Sequence, residues 1–117
     1  MLPIKRRLKK EPFTQVMKKG LFEHSSSLYL KYLRSQRENP SLFAFVVPVK
    51  VEKTSVGRHL SKRRVTSVVE KLLSQIKPGF LGIIFLKKNI AHLSYLELED
   101  EIRNLLIKLK MLNEKAF

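Results

Sequence analysis

Apolar residues recur along this chain with two periods, and each change of period marks a new element. Phe13, Val16 and Met17 fall at i, i+3 and i+4, on one face of a short helix. Glu11-Pro12 opens it, since proline is tolerated in a first turn and an acid there complements the helix dipole. Lys18 and Lys19 occupy its last turn, and Gly20 can take a left-handed stop. Ser25-Ser26-Ser27 then leads into a segment of period two. Tyr29 and Lys31 share one face there, and Leu28, Leu30 and Tyr32 the other. Arg37-Glu38-Asn39-Pro40-Ser41 reads as a turn, and Leu42 to Val49 as a central strand ended by Pro48. The two strands are expected to pair as an antiparallel hairpin with a long loop.

Thr54 or Ser55 can cap the next helix. Val56, Leu60, Val68, Leu72 and Ile76 form its apolar stripe, widened by Val65, Val69 and Leu73. Pro78-Gly79 stops it, Phe80 to Leu86 is a third apolar strand, and Asn89 to His92 is a loop. Ser94 and Glu97 have the spacing of a capping box. Leu98, Ile102, Leu105, Leu106 and Leu109 then define an amphipathic helix to about Leu112. The predicted order is α-β-β-α-β-α, an α+β sandwich of helices packed on one small sheet.

The length, 117 residues, suits a single domain with one core, preceded by a basic arm over residues 1–10 and followed by a tail over 113–117. Charge changes the picture more. The chain carries 24 Lys plus Arg against 10 Asp plus Glu, a formal charge of +14. Such an excess repels itself and calls for a polyanion, nucleic acid first and an anionic membrane second. Cysteine is absent, which excludes disulfides and thiolate-bound zinc and suits a reducing cytoplasm. The apolar runs are strand-sized, and the basic N-terminus continues into charged residues rather than an apolar signal core.

Catalytic constellations are missing. His24, His59 and His92 have no metal-binding spacing, and the acids of residues 97–101 are accounted for as an acidic helix start. The glycines are isolated, so no phosphate-binding loop exists. Two features point to nucleic acid, RNA or DNA, instead. Lys50, Lys53, Arg58, Lys62, Arg63 and Arg64 crowd a stretch whose one acid is Glu52, with His59 beside them. Arg58 and Lys62 share a helix face at a repulsive spacing that a purely solvated face would avoid. Phe13, Phe22, Tyr29 and Tyr32 lie among Lys18, Lys19 and Lys31, the mixture that holds single strands. Lys5, Arg6, Arg7, Lys9 and Lys10 read as a solvated tail or an arm that tracks phosphates.

Arg7-Leu8-Lys9-Lys10, then Phe13, Met17, Lys18-Lys19 and Gly20, resembles the N-terminal signature of the bacterial ribonuclease P protein family. Residues 51–64 stand where that family has its basic helix, and residues 93–98 where its last helix opens. The resemblance runs from about Leu2 to Leu112. It implies a left-handed βαβ crossover of the kind found in certain ribosomal and translocase domains. It also implies a protein subunit of an endoribonuclease that removes the 5′ leader of precursor tRNA, with the chemistry and its Mg2+ in the RNA subunit. The partners implied are that RNA and precursor tRNA, in a 1:1 particle with a monomeric protein and no membrane. Lys50, Lys53, Arg58, His59, Lys62, Arg63 and Arg64 would meet the RNA subunit. Phe13, Met17, Tyr29 and Lys31 would line the leader cleft. Met17 stands where an aromatic is usual, and Gly57-Arg58-His59 where the family has an arginine, an asparagine and an arginine. The rival readings are a structural RNA-binding protein of ribosomal type, a basic membrane-surface module and a self-sufficient nuclease.

Overall fold

The computed structural model describes residues 2–35 and 39–112. Arg37 and Glu38 of the expected turn, and the tail over 113–117, lie outside the described residues. Four strands form one sheet: β1 (Leu21–His24), β2 (Leu28–Arg34), β3 (Leu42–Val46) and β4 (Phe80–Leu86). Three helices cover it: α1 (Lys10–Lys19), α2 (Ser55–Leu72) and α3 (Tyr95–Lys108).

The spatial order is β1-β2-β4-β3. Two expectations fail here. β2 and β3 do not form a hairpin, because β4 lies between them, antiparallel to β2 and parallel to β3. The hairpin is instead β1 with β2, and β1 was not foreseen as a strand. β4 is central because it is apolar toward both faces, so it needs cover on both faces and partners on both edges. β3 sits beside it, not at the centre, and ends at Val46, two residues before the proline. A parallel pair requires a crossover, and α2 provides it.

Strand alternation divides the core between the two faces. Leu28, Leu30, Phe43, Phe45, Ile84 and Leu86 face α2 and α3, meeting Val65, Val68, Val69, Leu98, Ile102 and Leu106. Ile83 and Phe85 face the other way, under Val16 of α1 and Leu8. The lower half of the α2 stripe is buried as expected, but Val56 and Leu60 are 69% and 53% exposed. They lie in the opening turns of α2, before Ser61, the first of its residues to be buried. α3 ends at Lys108 rather than near Leu112. Lys110 then adopts φ 61° and turns Met111 and Leu112 back into the core.

The N-terminal segment is not a free arm. Leu2 and Leu8 are buried, residues Ile4–Arg6 make one 3-10 turn, and the Leu8 amide donates to the Phe43 carbonyl at 2.9 Å. This contact covers the outer edge of β3, an edge that would otherwise offer unpaired backbone groups. Burial of the two leucines holds the segment there while Lys5, Lys9 and Lys10 stay exposed.

The acids of α3 have separate structural tasks. Glu97 closes the capping box with Ser94. Glu101 accepts from the Ser27 amide at 2.7 Å and from the Ser25 hydroxyl, tying the β1–β2 turn to α3. Glu99 joins Lys71 of α2 to Arg103, each at 2.9 Å. The Lys71 ammonium, then the Arg103 guanidinium, hold the Glu99 carboxyl below its ordinary value.

Gly20 is extended rather than left-handed, with φ −67° and ψ 148°. It is needed for a different reason: a Cβ there would lie 2.5 Å from the Val16 carbonyl oxygen and 2.9 Å from Lys31 Cγ. Gly20→Ala should therefore destabilise the fold by about 1–3 kcal/mol through overpacking, measured as a lower urea midpoint. Glu99 supplies a pH prediction. Its depressed value means that its contribution is complete above the ordinary carboxylate pKa of about 4.3 and is lost as pH falls through the folded value. Glu99→Gln should be less stable at neutral pH and show a flatter stability profile below about pH 5 in acid titrations.

Candidate nucleic-acid interface

α2 starts where the sequence indicates. Thr54 is the N-cap, its hydroxyl accepting from the Gly57 amide at 3.0 Å. Gly57 leaves space against the helix for the Glu52 side chain, which a Cβ would meet at 2.4 Å. The Glu52 carboxylate accepts from the Thr54 amide and hydroxyl and from Asn89 Nδ2 at 3.0 Å. Lys53 and every residue from there to Val69 include no acid, while five cations fall in that span: Lys53, Arg58, Lys62, Arg63 and Arg64.

The structure separates these cations into two kinds. Arg58 turns back and donates to the Glu52 and Lys53 carbonyls at 3.1 and 2.9 Å, closing the loop before the helix. Arg64 donates to the Ile90 carbonyl at 2.7 Å and to the Leu93 carbonyl, holding the β4–α3 loop. Ile90 of that loop is fully buried, so Arg64 anchors a core element. Lys50, Lys53, His59, Lys62 and Arg63 stay exposed. His59 and Arg63, four apart on α2, share one face.

Arg7, His59, Lys62 and Arg63 border a groove of about 420 Å3 at the β3 edge. Leu8, Phe13, Phe43 and Phe45 form its apolar lining. The docked N-terminal segment and the basic helix are therefore its two walls. The sequence reading places Arg7 in a solvated tail or a phosphate-tracking arm; the apolar Leu2 and Leu8 on either side carry the signal for docking.

Of the residues expected to line one cleft, Phe13 and Met17 lie on α1 and Tyr29 and Lys31 on β2. Phe13 lies in the groove. Met17, one turn later and 39% exposed, lies toward β1 and β2, where the Lys31 ammonium donates to its carbonyl. The Lys31 charge thus sits at the C-terminal end of α1, where a cation complements the dipole, and 4.8 Å from the centre of the Phe22 ring. Strand register places His24, Tyr29 and Phe85 side by side across β1, β2 and β4. Tyr29 stacks on Phe85 at 4.6 Å and 5°, with the His24 ring 5.2 Å away. Burial raises the Tyr29 phenol above its ordinary value. The sequence pattern groups Phe22 with the other aromatics and gives His24 no role. Their membership of this set depends on β1 being a strand.

Among the described residues no group of three or more His, Cys, Asp or Glu could hold a metal ion. No helix among them is long and apolar enough to cross a membrane.

Residues 2–110 match the family model for ribonuclease P. The ribonuclease P protein component of a Pseudanabaena species is 33% identical over 114 residues, covering 97% of this chain and 98% of the relative. That of Microcystis aeruginosa is 31% identical over 116 residues, with 96% and 97% covered. The structure of the Staphylococcus aureus RNase P protein superposes with a TM-score of 0.77 at 19% identity, over 92% of this chain and 98% of that one. The Thermotoga maritima RNase P protein gives 0.77 at 19% identity, over 87% and 96%. These two likenesses show a shared fold.

The two kinds of cation predict different phenotypes. Arg63→Ala should leave the unfolding midpoint in place and lower the salt slope of structured-RNA binding by about 1. Arg64→Ala should lower the unfolding midpoint, since it strips hydrogen bonds from the Ile90 and Leu93 carbonyls. Salt-dependent filter binding and urea melts on both variants check this.

Proposed function

The chain belongs to the ribonuclease P protein family, and from that premise we propose how its surfaces serve the reaction. It is the protein component of an endoribonuclease complex that processes tRNA, and it associates with ribonuclease P RNA and the tRNA substrate. Its own part is to hold RNA. The exposed cations of α2, Lys62 and Arg63 with His59, Lys50 and Lys53, meet the phosphates of the RNA subunit. Arg58 and Arg64 keep the backbone beneath them in place. Neutralising phosphates releases counterions and lowers the repulsion between two RNAs brought together.

The 5′ leader runs across the other surface, past Phe13 and Met17 toward Tyr29. Stacking on aromatic rings accepts any base, and phosphate contacts carry little sequence information, so the leader sequence is read loosely. Lys31 acts through α1 by fixing its end against the sheet. Cleavage belongs to the RNA subunit, and Mg2+ held there would supply the chemistry of water activation. The protein works as one copy per RNA in the cytoplasm. The observation that supports this reading is that α1 borders both surfaces: its Phe13 shares a groove with His59, Lys62 and Arg63 of α2, and its far end meets Lys31 beside the rings of β1 and β2.

The test is leader removal by a cognate ribonuclease P RNA at moderate salt and low magnesium. The protein should stimulate cleavage strongly, do nothing alone, and raise affinity for precursor over mature tRNA. Tight RNA binding without stimulation or leader preference would leave a structural RNA-binding protein as the better account.

A further inference from the structure

β1 places two aromatic rings at the open edge of the sheet, where core packing does not need them. Phe22 is 55% exposed and His24 is exposed as well. Their rings lie 6.3 Å apart and 20° from parallel. Tyr29 on the next strand lies 6.1 Å from Phe22 and 5.2 Å from His24, so the three rings form a triangle. Tyr29 is flanked by Phe85 on one side and His24 on the other, because β4 and β1 lie on opposite sides of β2. One face of its ring is stacked on Phe85, and the tilted His24 ring crowds it from the other side. The ring surface left open belongs to Phe22 and His24.

A cluster of three rings can cage a cation or stack a base, and the surrounding charge decides which. The Lys31 ammonium is already over Phe22 at 4.8 Å. The Lys87 ammonium stands 3.4 Å from His24 Nδ1 and donates to the Ser25 carbonyl at 2.8 Å. Two ammonium groups at the rim repel a cationic guest and attract an anionic one. An ammonium has three N–H donors, and two partners leave Lys87 a third for a phosphate oxygen.

We infer that Phe22 and His24 form a base-stacking subsite for one unpaired nucleotide of single-stranded RNA, with Lys87 on its phosphate. This rests on the reading of the chain as a binder of single-stranded leader, and it extends the RNA path from α1 to the sheet edge. Stacking accepts every base, so the subsite adds affinity without sequence preference.

The test uses the full chain and two fluorescent octamers, one of single-stranded RNA and one an abasic backbone of equal length. Phe22→Leu combined with His24→Gln keeps side chains of similar bulk at exposed positions but removes the flat rings. The double variant should bind the RNA octamer about tenfold more weakly, with an unchanged salt slope. It should bind the abasic octamer as the unaltered protein does. Lys87→Ala should instead lower the salt slope for both octamers by about 0.7. Equal affinity of the double variant and the unaltered protein for the RNA octamer would overturn the subsite. An equal loss on both octamers would also overturn it, since that outcome reports a general disturbance of the sheet. The leader reading stands or falls separately, on whether the unaltered protein prefers precursor to mature tRNA.

Discussion

Burial of β4 on both faces is the constraint from which the architecture follows. Phe80, Ile84 and Leu86 require helices on one side, and Ile83 and Phe85 require cover on the other. A strand of this kind cannot lie at a sheet edge, so β2 and β3 flank it. Its pairing with β3 is parallel, and the return path must be long enough to carry α2 across the sheet. The basic helix thus reaches its position as the connection that the central strand demands. α1 covers the opposite face, the basic groove lies at the β3 edge, and the exposed rings of Phe22 and His24 lie at the β1 edge.

Charge is arranged with the same economy. Four of the ten acids fall within residues 97–101, and the described partners of Glu97, Glu99 and Glu101 are capping, interhelical and turn-holding groups. Glu23 pairs with Lys108 at 2.9 Å, again on the α3 side. The span of α2 from Arg58 to Arg64 contains no acid. Its mutual repulsion is tolerated because the stripe from Val65 to Leu72 is buried and holds the helix down. Association with a polyanion relieves the repulsion, which couples RNA binding to the stability of this face.

Cations that look alike in the sequence differ in what they touch. Arg58 and Arg64 are ligands of backbone carbonyls, and Lys31 is bonded to the end of α1. Lys62 and Arg63 are exposed. A guanidinium with five N–H donors can satisfy two carbonyls of a loop at once, which explains why arginines occupy those two positions. The set of exposed cations is thereby narrower than the basic stretch of the sequence.

Much of this was legible along the chain. The three helices, the Ser94 cap, a cap at Thr54 or Ser55 (the structure uses Thr54), the strand over 80–86 and the cationic stretch all follow from periods and spacings that span a few residues. Local sterics and hydrogen bonds act over that distance, so local sequence determines them. Three things depended on the whole fold. The neighbours of β4 were decided by which strand could be buried on both faces, not by which strands are consecutive. Val56 and Leu60 continue the apolar period of α2 yet lie beyond the area that the sheet and α3 can cover. The aromatic set of Phe22, His24, Tyr29 and Phe85 joins residues separated by up to 63 positions, brought together by register alone. Sequence determines which residues are able to stack or carry charge. Only the closing of the sheet decides which of them stand side by side, because contacts between distant segments are set by the burial of the core and not by the chain between them.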